Sequence, residues 1–380
     1  MDSRPKLAGA SIVRFVAAMI IVMYHVALLP ALTMPDSLKF ITSYGGFGVP
    51  LFYMLSAFSL SYGYFGKLET ADQIRNFYTR RFFRIAPLFY SMMLFSIWFF
   101  WLTEGRIVSA AAIFTSATFT FNLIPQHVAG FVLASWSIGV EMLFYAIFPM
   151  MILLVSNLWR ALLVFAIVVF IVCEWMAAFA GTAGTMQMFG NYSLLTFLHY
   201  FVAGMLAFQI WRQVTWTPRL HRLVLSISIV CLVGLIFATV DIHFQLGATF
   251  GWNYGQPLTT AVWAVAFIIF ILGMSFEHAQ FPGARYVVRL GEASFSLYLV
   301  HPIIIVLLHR AGAYVWIYDH MPWVFGAYFI ALIATLIPLF AVSLITYSQI
   351  ERRFQFGWTS VLPQRQQSRP SVLDGAHLAE

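Results

Sequence analysis

Apolar stretches of about 20 residues recur along the whole chain, near 8–30, 44–64, 85–103, 137–156, 160–180, 194–211, 221–240, 257–275, 292–309 and 323–350. A helix of about 20 residues crosses the ~30 Å hydrocarbon core of a bilayer and satisfies its own backbone hydrogen bonds. The pattern therefore predicts an all-α, polytopic transmembrane helical bundle of about ten spans. The stretch 107–122 is apolar enough for an extra re-entrant or interfacial helix. Composition agrees: 61% of the 380 residues are hydrophobic and 9% charged, against about 45–50% and about 25% in a soluble domain. So few charges cannot cover a water-facing surface, which excludes a soluble enzyme, a disordered chain and a nucleic-acid-binding domain. The first span follows a short basic tip (Arg4, Lys6), as a signal peptide would. Its apolar run is too long and lacks a small-residue cleavage site, so it reads as an uncleaved span. Residues 1–350 form one transmembrane domain in this reading, and 351–380 a basic, disordered cytoplasmic tail. Cys173 and Cys231 sit inside apolar runs, which suits packing and suggests neither a disulfide framework nor a metal-thiolate site.

The net charge of +7 is explained by topology. With ten spans, seventeen of the 21 Lys and Arg fall in segments on the N-terminal side of the membrane. Three, Lys39, Arg106 and Arg310, fall on the other side, and Arg14 lies within the first span. Basic residues concentrate in cytoplasmic loops, so both termini are expected in the cytoplasm.

Ionisable residues within spans are costly and mark cavities or pathways. Arg14 and His25 share the first helix. Eleven residues at about 100° each return them to within roughly 20° of one face, about 16 Å apart along the axis. Taken singly, Arg14 could snorkel to the interface and His25 could be a packed histidine; their shared face argues for a joint role. Arg81 and Arg84, three apart at the mouth of the third span, point the same way. They make either a fork for phosphate or a lipid-headgroup anchor. Ser137, Glu141 and Tyr145 form a stripe at i, i+4, i+8 on the fourth span, which reads as a site or as a hydrogen-bonding hub. Ser294, Tyr298 and His301 form another polar face on the ninth, for which helix–helix hydrogen bonding is the plainer reading. Pro302 frees a backbone carbonyl near His301. Gly45-Gly-Phe-Gly-Val-Pro50 lacks the strand and lysine of a phosphate loop and suggests close helix packing. Ser56 has no base near it in sequence, and Glu174 has no motif around it.

Together these segments resemble the acyltransferase-3 family of integral membrane O-acyltransferases. The resemblance rests on five pieces in order: Arg14 through His25; Gly48-Val-Pro-Leu-Phe-Tyr-Met-Leu-Ser-Ala-Phe58; Arg80-Arg-Phe-Phe-Arg-Ile-Ala-Pro87; Trp136-Ser-Ile-Gly-Val-Glu141 with Phe144-Tyr145; and Leu290-Gly-Glu-Ala-Ser-Phe-Ser-Leu-Tyr-Leu-Val-His301. The chain departs from the family pattern at Pro50, where an acidic residue is frequent, and at Ser56-Ala57, where Ser-Gly is. The resemblance implies transfer of an acyl group, usually acetyl, from cytosolic acetyl-CoA to a hydroxyl of a carbohydrate or glycolipid acceptor. It implies a multi-pass protein of the bacterial inner membrane. Its partners would be acyl-CoA, that acceptor and the lipid bilayer, with no nucleic acid and no metal; a homo-oligomer is compatible with it. On this basis Arg14, Arg81 and Arg84 are expected to hold the CoA phosphates. His25 is the expected general base or acyl carrier, Glu141 its orienting carboxylate, and His301 a second polar group on the acceptor side. A secondary transporter that uses intramembrane Arg, Glu and His as a proton relay is the rival, although no internal repeat supports it.

Overall fold

The computed structural model describes residues 5–279 and 281–357. Among them there are helices and turns but no strand. The ten apolar stretches fall on ten long helices. These are α1 (Ala8–Leu28), α2 (Gly48–Tyr64), α3 (Ala71–Glu104), α4 (Trp136–Leu154), α5 (Leu158–Phe179), α6 (Leu194–Trp211), α7 (Pro218–Phe250), α8 (Trp252–Gly273), α9 (Ser294–Arg310) and α10 (Val324–Thr346). Eight helices among the described residues are long and apolar enough to cross a membrane alone. The short helix Ala284–Glu292 and α9 meet at 74° and together make a ninth. At 17 residues α2 is about 26 Å long, near the lower limit for a span, and the turn Gly45–Phe47 extends it.

The stretch 107–122 does not form one continuous helix. It holds an eight-residue helix, Ala110–Ala117, followed by two tight turns at Phe121–Leu123 and Pro125–His127. Phe119 breaks the helix at positive φ (56°). The helical register of α10 runs on through a π-turn at Tyr347–Glu351 into Arg352–Gly357, so the first residues of the expected tail are helical. The rest of that tail, 358–380, lies outside the described residues, as does Arg4.

Chain ends and loops pair in two groups, as an up-and-down bundle requires. At one end, the Ala8 and Gly9 amides donate to Glu277 O and Phe276 O, and Tyr62 OH donates to Pro5 O. At the other, Tyr318 OH donates to Thr33 O, and Arg310 pairs with Glu104 at 2.9 Å.

α1 is the central helix. Val13, Ala17, Val22 and Val26 are fully buried, and glycine lets neighbours approach closely. A Cβ at Gly48 would lie 2.6 Å from Ile21 Cγ1 and 2.8 Å from Ala17 O, and one at Gly291 would lie 1.9 Å from Ser11 O. The glycine-rich segment is thus a packing device that sets α2 directly against α1, and Gly291 sets the bend before α9 against the same helix. Aromatic rings fill the adjoining layer: Phe144 of α4 stacks on Phe201 of α6 at 3.9 Å, and Tyr53 of α2 stacks on the same ring at 4.6 Å. α7 stands apart. Only Ser228 and Gly247 are buried along its 33 residues, as expected for a helix facing lipid.

Candidate active site

Two helices deliver two histidines to one point. His25, near the end of α1, and His301, in the middle of α9, meet with His301 Nε2 3.0 Å from His25 Nδ1. Pro302 explains why His301 sits as it does. A residue at 302 would normally donate its backbone N–H to the carbonyl of Tyr298, but proline has none. His301 Nδ1 donates to that freed carbonyl instead. A carbonyl can only accept, so Nδ1 carries the proton and Nε2 is left as an acceptor. His25 Nδ1 faces this acceptor and the Ile21 carbonyl at 3.1 Å, so it must be the donor to both. The tautomers of both rings follow, and the lone pair of His25 lies on Nε2. No hydrogen bond among the described residues uses that atom. His301 is fully buried, while His25 is half-buried and lines a cavity of about 720 Å³.

A second cluster gathers nearer the other end of the bundle. Arg14, Arg81 and Arg84 line one cavity of about 340 Å³ together with Ser56, Glu141, Tyr145 and Tyr298. Arg14 Nη2 donates to Ser59 Oγ at 2.9 Å. The Arg81 guanidinium lies between the rings of Tyr64 (5.7 Å) and Tyr145 (6.0 Å), and its Nε is buried without a hydrogen-bond partner. Ser56 Oγ donates to Glu141 Oε1 at 2.8 Å, and Tyr145 OH donates to the same oxygen. Arg14 and Arg84 also line a larger cavity of about 670 Å³ with Lys6, Lys67 and Arg80. The three cavities form a series. The basic outer one and the middle one share Arg14, Ser59, Gly63, Tyr64 and Arg84, while the middle one and the histidine chamber share Val49 and Tyr298.

Tyr298 is the wall between the histidine chamber and the guanidinium cluster. Its hydroxyl accepts from Ser137 Oγ at 2.6 Å and donates to Ala134 O at 3.0 Å. Ala134 adopts positive φ (60°) just before α4, which turns its carbonyl toward the ring. The polar stripes of α4 and α9 therefore lock onto each other at Ser137–Tyr298.

The structure thus brings Arg14, Arg81 and Arg84 to one cavity, and His25 and His301 to another. It does not bring Glu141 to His25. The carboxylate expected to orient that imidazole instead engages Ser56 and Tyr145 among the arginines, and the ring bonded to His25 is His301. The reason is the position of α4, whose stripe faces α2 and the mouth of α3. Ser56 does have a carboxylate partner, contributed by a helix 85 residues away. Glu174 is exposed on α5 and accepts from Tyr254 OH at 3.2 Å. Among the described residues no group of three or more His, Cys, Asp or Glu could hold a metal ion.

Sequence reading missed Glu351. It looks like the start of a polar tail, yet it is 1% exposed. Its Oε1 accepts from Ser296 Oγ, and its Oε2 is buried without a partner. The available signal was the unbroken helical register from 324 onward, with neither Gly nor Pro between Pro338 and Gly357.

A family model described as an acyltransferase domain matches residues 7–347. The chain belongs to the acyltransferase-3 family. It is an integral, multi-pass membrane acyltransferase, and the histidine pair and guanidinium cluster both lie inside the region that defines the family. A protein named acyltransferase MdmB, from Streptomyces mycarofaciens, is 26% identical over 335 residues, covering 80% of each chain. No solved structure matches the chain.

Proposed function

We propose that this acyltransferase moves an acyl group, acetyl in the simplest case, from acyl-CoA to a hydroxyl of a carbohydrate or glycolipid acceptor, and that His25 is the general base. The observation that carries this reading is that His25 lines the chamber with Nδ1 committed to His301 and Ile21, which leaves the lone pair on Nε2. In the transfer the acceptor hydroxyl gives its proton to Nε2. Its oxygen bonds to the thioester carbonyl carbon, the C–S bond breaks, and the proton passes to the departing thiolate. As His25 takes the proton it becomes a cation, and its Nδ1–H bond to His301 Nε2 becomes charge-assisted and stronger. The pair thus favours the protonated state that exists only along the reaction coordinate.

The donor fits the opposite end. CoA carries several phosphate charges, and planar guanidinium groups match them bidentately. Arg84 and Arg14 line both the basic outer cavity and the middle one. Their fork leads inward, with the unpartnered Arg81 Nε as a further donor. The phosphates would rest in the basic cavity, and the thioester arm would run along α1 past Tyr298. Glu141 would limit the net positive charge of the cluster and hold Tyr145 and Ser56 in place. The basic end would face the cytoplasm of a bacterial inner membrane, where acyl-CoA is made.

The test uses full-length protein in nanodiscs with radiolabelled acetyl-CoA. Arg81→Ala/Arg84→Ala should weaken donor binding at least tenfold, while Arg84→Lys alone keeps part of it, because a point charge cannot supply two parallel hydrogen bonds. Unchanged donor affinity in the double variant would return these residues to a lipid-anchoring role.

A further inference from the structure

The chamber lined by His25 differs in chemistry from the cavities next to it. Among the described residues no Lys, Arg, Asp or Glu lines it, although it encloses about 720 Å³. The basic outer cavity, of similar size, has five Lys or Arg residues against one Glu. Holding an ion away from bulk water without a counter-charge costs several kcal/mol.

The lining offers two other things. Gln187, Asn191, Asn253 and Gln256 are exposed around it and supply amide donors and acceptors. Aromatic faces lie deeper: Trp136 packs between Tyr192 (4.8 Å) and Phe197 (5.3 Å), and Tyr24 stands edge-on to His25 at 5.1 Å. At the floor, His199 and Tyr200 are 1% and 2% exposed and lie beside Thr260. Their polar atoms lie against Thr196 and Thr260. The chamber is large enough for a small-molecule ring system.

We infer that this chamber is the acceptor site, and that the acceptor is an uncharged, hydroxylated ring compound with one apolar face. The apolar face lies on the aromatic walls, and the hydroxyls exchange hydrogen bonds with the exposed amides around them. One hydroxyl reaches His25 Nε2. Anionic sugars and phosphorylated headgroups find no counter-charge here. The inference rests on the reading of His25 as the base, and it adds the chemical class of the molecule that His25 deprotonates.

The experiment is saturation-transfer NMR on full-length protein in nanodiscs, with empty nanodiscs subtracted. The probes are 4-nitrophenyl β-D-glucoside and 4-nitrophenyl β-D-glucuronide, which differ by one carboxylate. The glucoside should bind, and the glucuronide at least tenfold more weakly. Gln256→Lys, at an exposed position, should narrow that difference by supplying a cation, and Trp136→Phe should weaken the glucoside about threefold or more. Glucuronide binding as tight as glucoside, or no glucoside binding, overturns the inference. Acetyl-CoA binding on the same preparation separates the two readings. Donor bound without glucoside sinks the acceptor class alone. Glucoside bound, with donor affinity insensitive to Arg81→Ala/Arg84→Ala, sinks the donor reading alone.

Discussion

His25 and His301 show how far single residues can be read from sequence. Each is visible as an ionisable group in an apolar helix, and Pro302 announces the free carbonyl that fixes His301. The contact between them spans 276 residues and could not be read from one chain. The same holds for Ser56 with Glu141 and Ser137 with Tyr298: each stripe is legible, but its partner is decided by packing. This is why Glu141 looked like a partner for His25. Intrahelical spacing puts Glu141 on a polar face without saying which neighbour that face meets. Loss of a general base costs about 10²–10⁴ in rate. His25→Ala should therefore lower acyl transfer at least 100-fold while acetyl-CoA binding persists, and His25→Gln should do no better. A folded His25→Ala protein that transfers at more than about a tenth of the wild-type rate would make His25 a packing residue. His301→Ala should cost less, because it removes an acceptor for Nδ1–H and leaves Nε2 in place.

Helices carry the positions of these groups, and two devices can be tested separately. The first is the proline in α9. Pro302→Ala supplies a backbone N–H that competes with His301 Nδ1 for the Tyr298 carbonyl, which frees the His301 ring to rotate or change tautomer. A fall in kcat of about 3–30-fold is expected, with donor affinity unchanged, the range set by a weakened positioning contact rather than a lost base. Unaltered kcat would show that the ring is held by packing alone. The second device is the close approach of α2 to α1. At Gly48 a larger side chain must displace Ile21 or the Ala17 carbonyl, one turn before His25. Overpacking of this kind costs about 1–3 kcal/mol. Gly48→Val should lower the thermal midpoint and reduce activity together, whereas Gly63→Ala, with no atom within 4 Å of the added carbon, should leave the midpoint unchanged. The bend between Ala284–Glu292 and α9 was legible only as the start of a span. Its 74° angle depends on Gly291 lying against Ser11, which hydropathy does not record. The π-turn was missed for a related reason: Glu-Arg-Arg reads as polar tail until Ser296 is seen to meet the carboxylate.

Across the whole molecule, the succession of apolar helices was the most legible property, because it depends on local composition; eight of them, or nine with the bent pair, are long and apolar enough to span, against the ten expected. The ten apolar stretches lie on ten helices, and the stretch 107–122, expected to hold an extra re-entrant or interfacial helix, holds a short one that ends before Phe119 turns to positive φ. The distribution of charge is the second global property. Lys6, Arg80, Arg84, Arg285, Arg289, Arg352 and Arg353 line two cavities at one end of the bundle, while Arg310 pairs with Glu104 at the other. An excess of Lys and Arg marks the cytoplasmic side, and a CoA-binding mouth would have to open there too, so both arguments give the same orientation. The N-terminal segment reaches the basic end through Lys6, and Arg352 and Arg353 bring the chain back to the same end. A reporter fused after Glu380 should therefore be active only when its activity requires the cytoplasm, as green fluorescence does. A reporter that works only outside the membrane, such as alkaline phosphatase, should be silent at that position and active when inserted in the loop around Asp36. Alkaline phosphatase activity from the C-terminal fusion would invert the bundle. It would place the guanidinium cluster on the side that lacks acyl-CoA, and the donor reading would fall with the orientation.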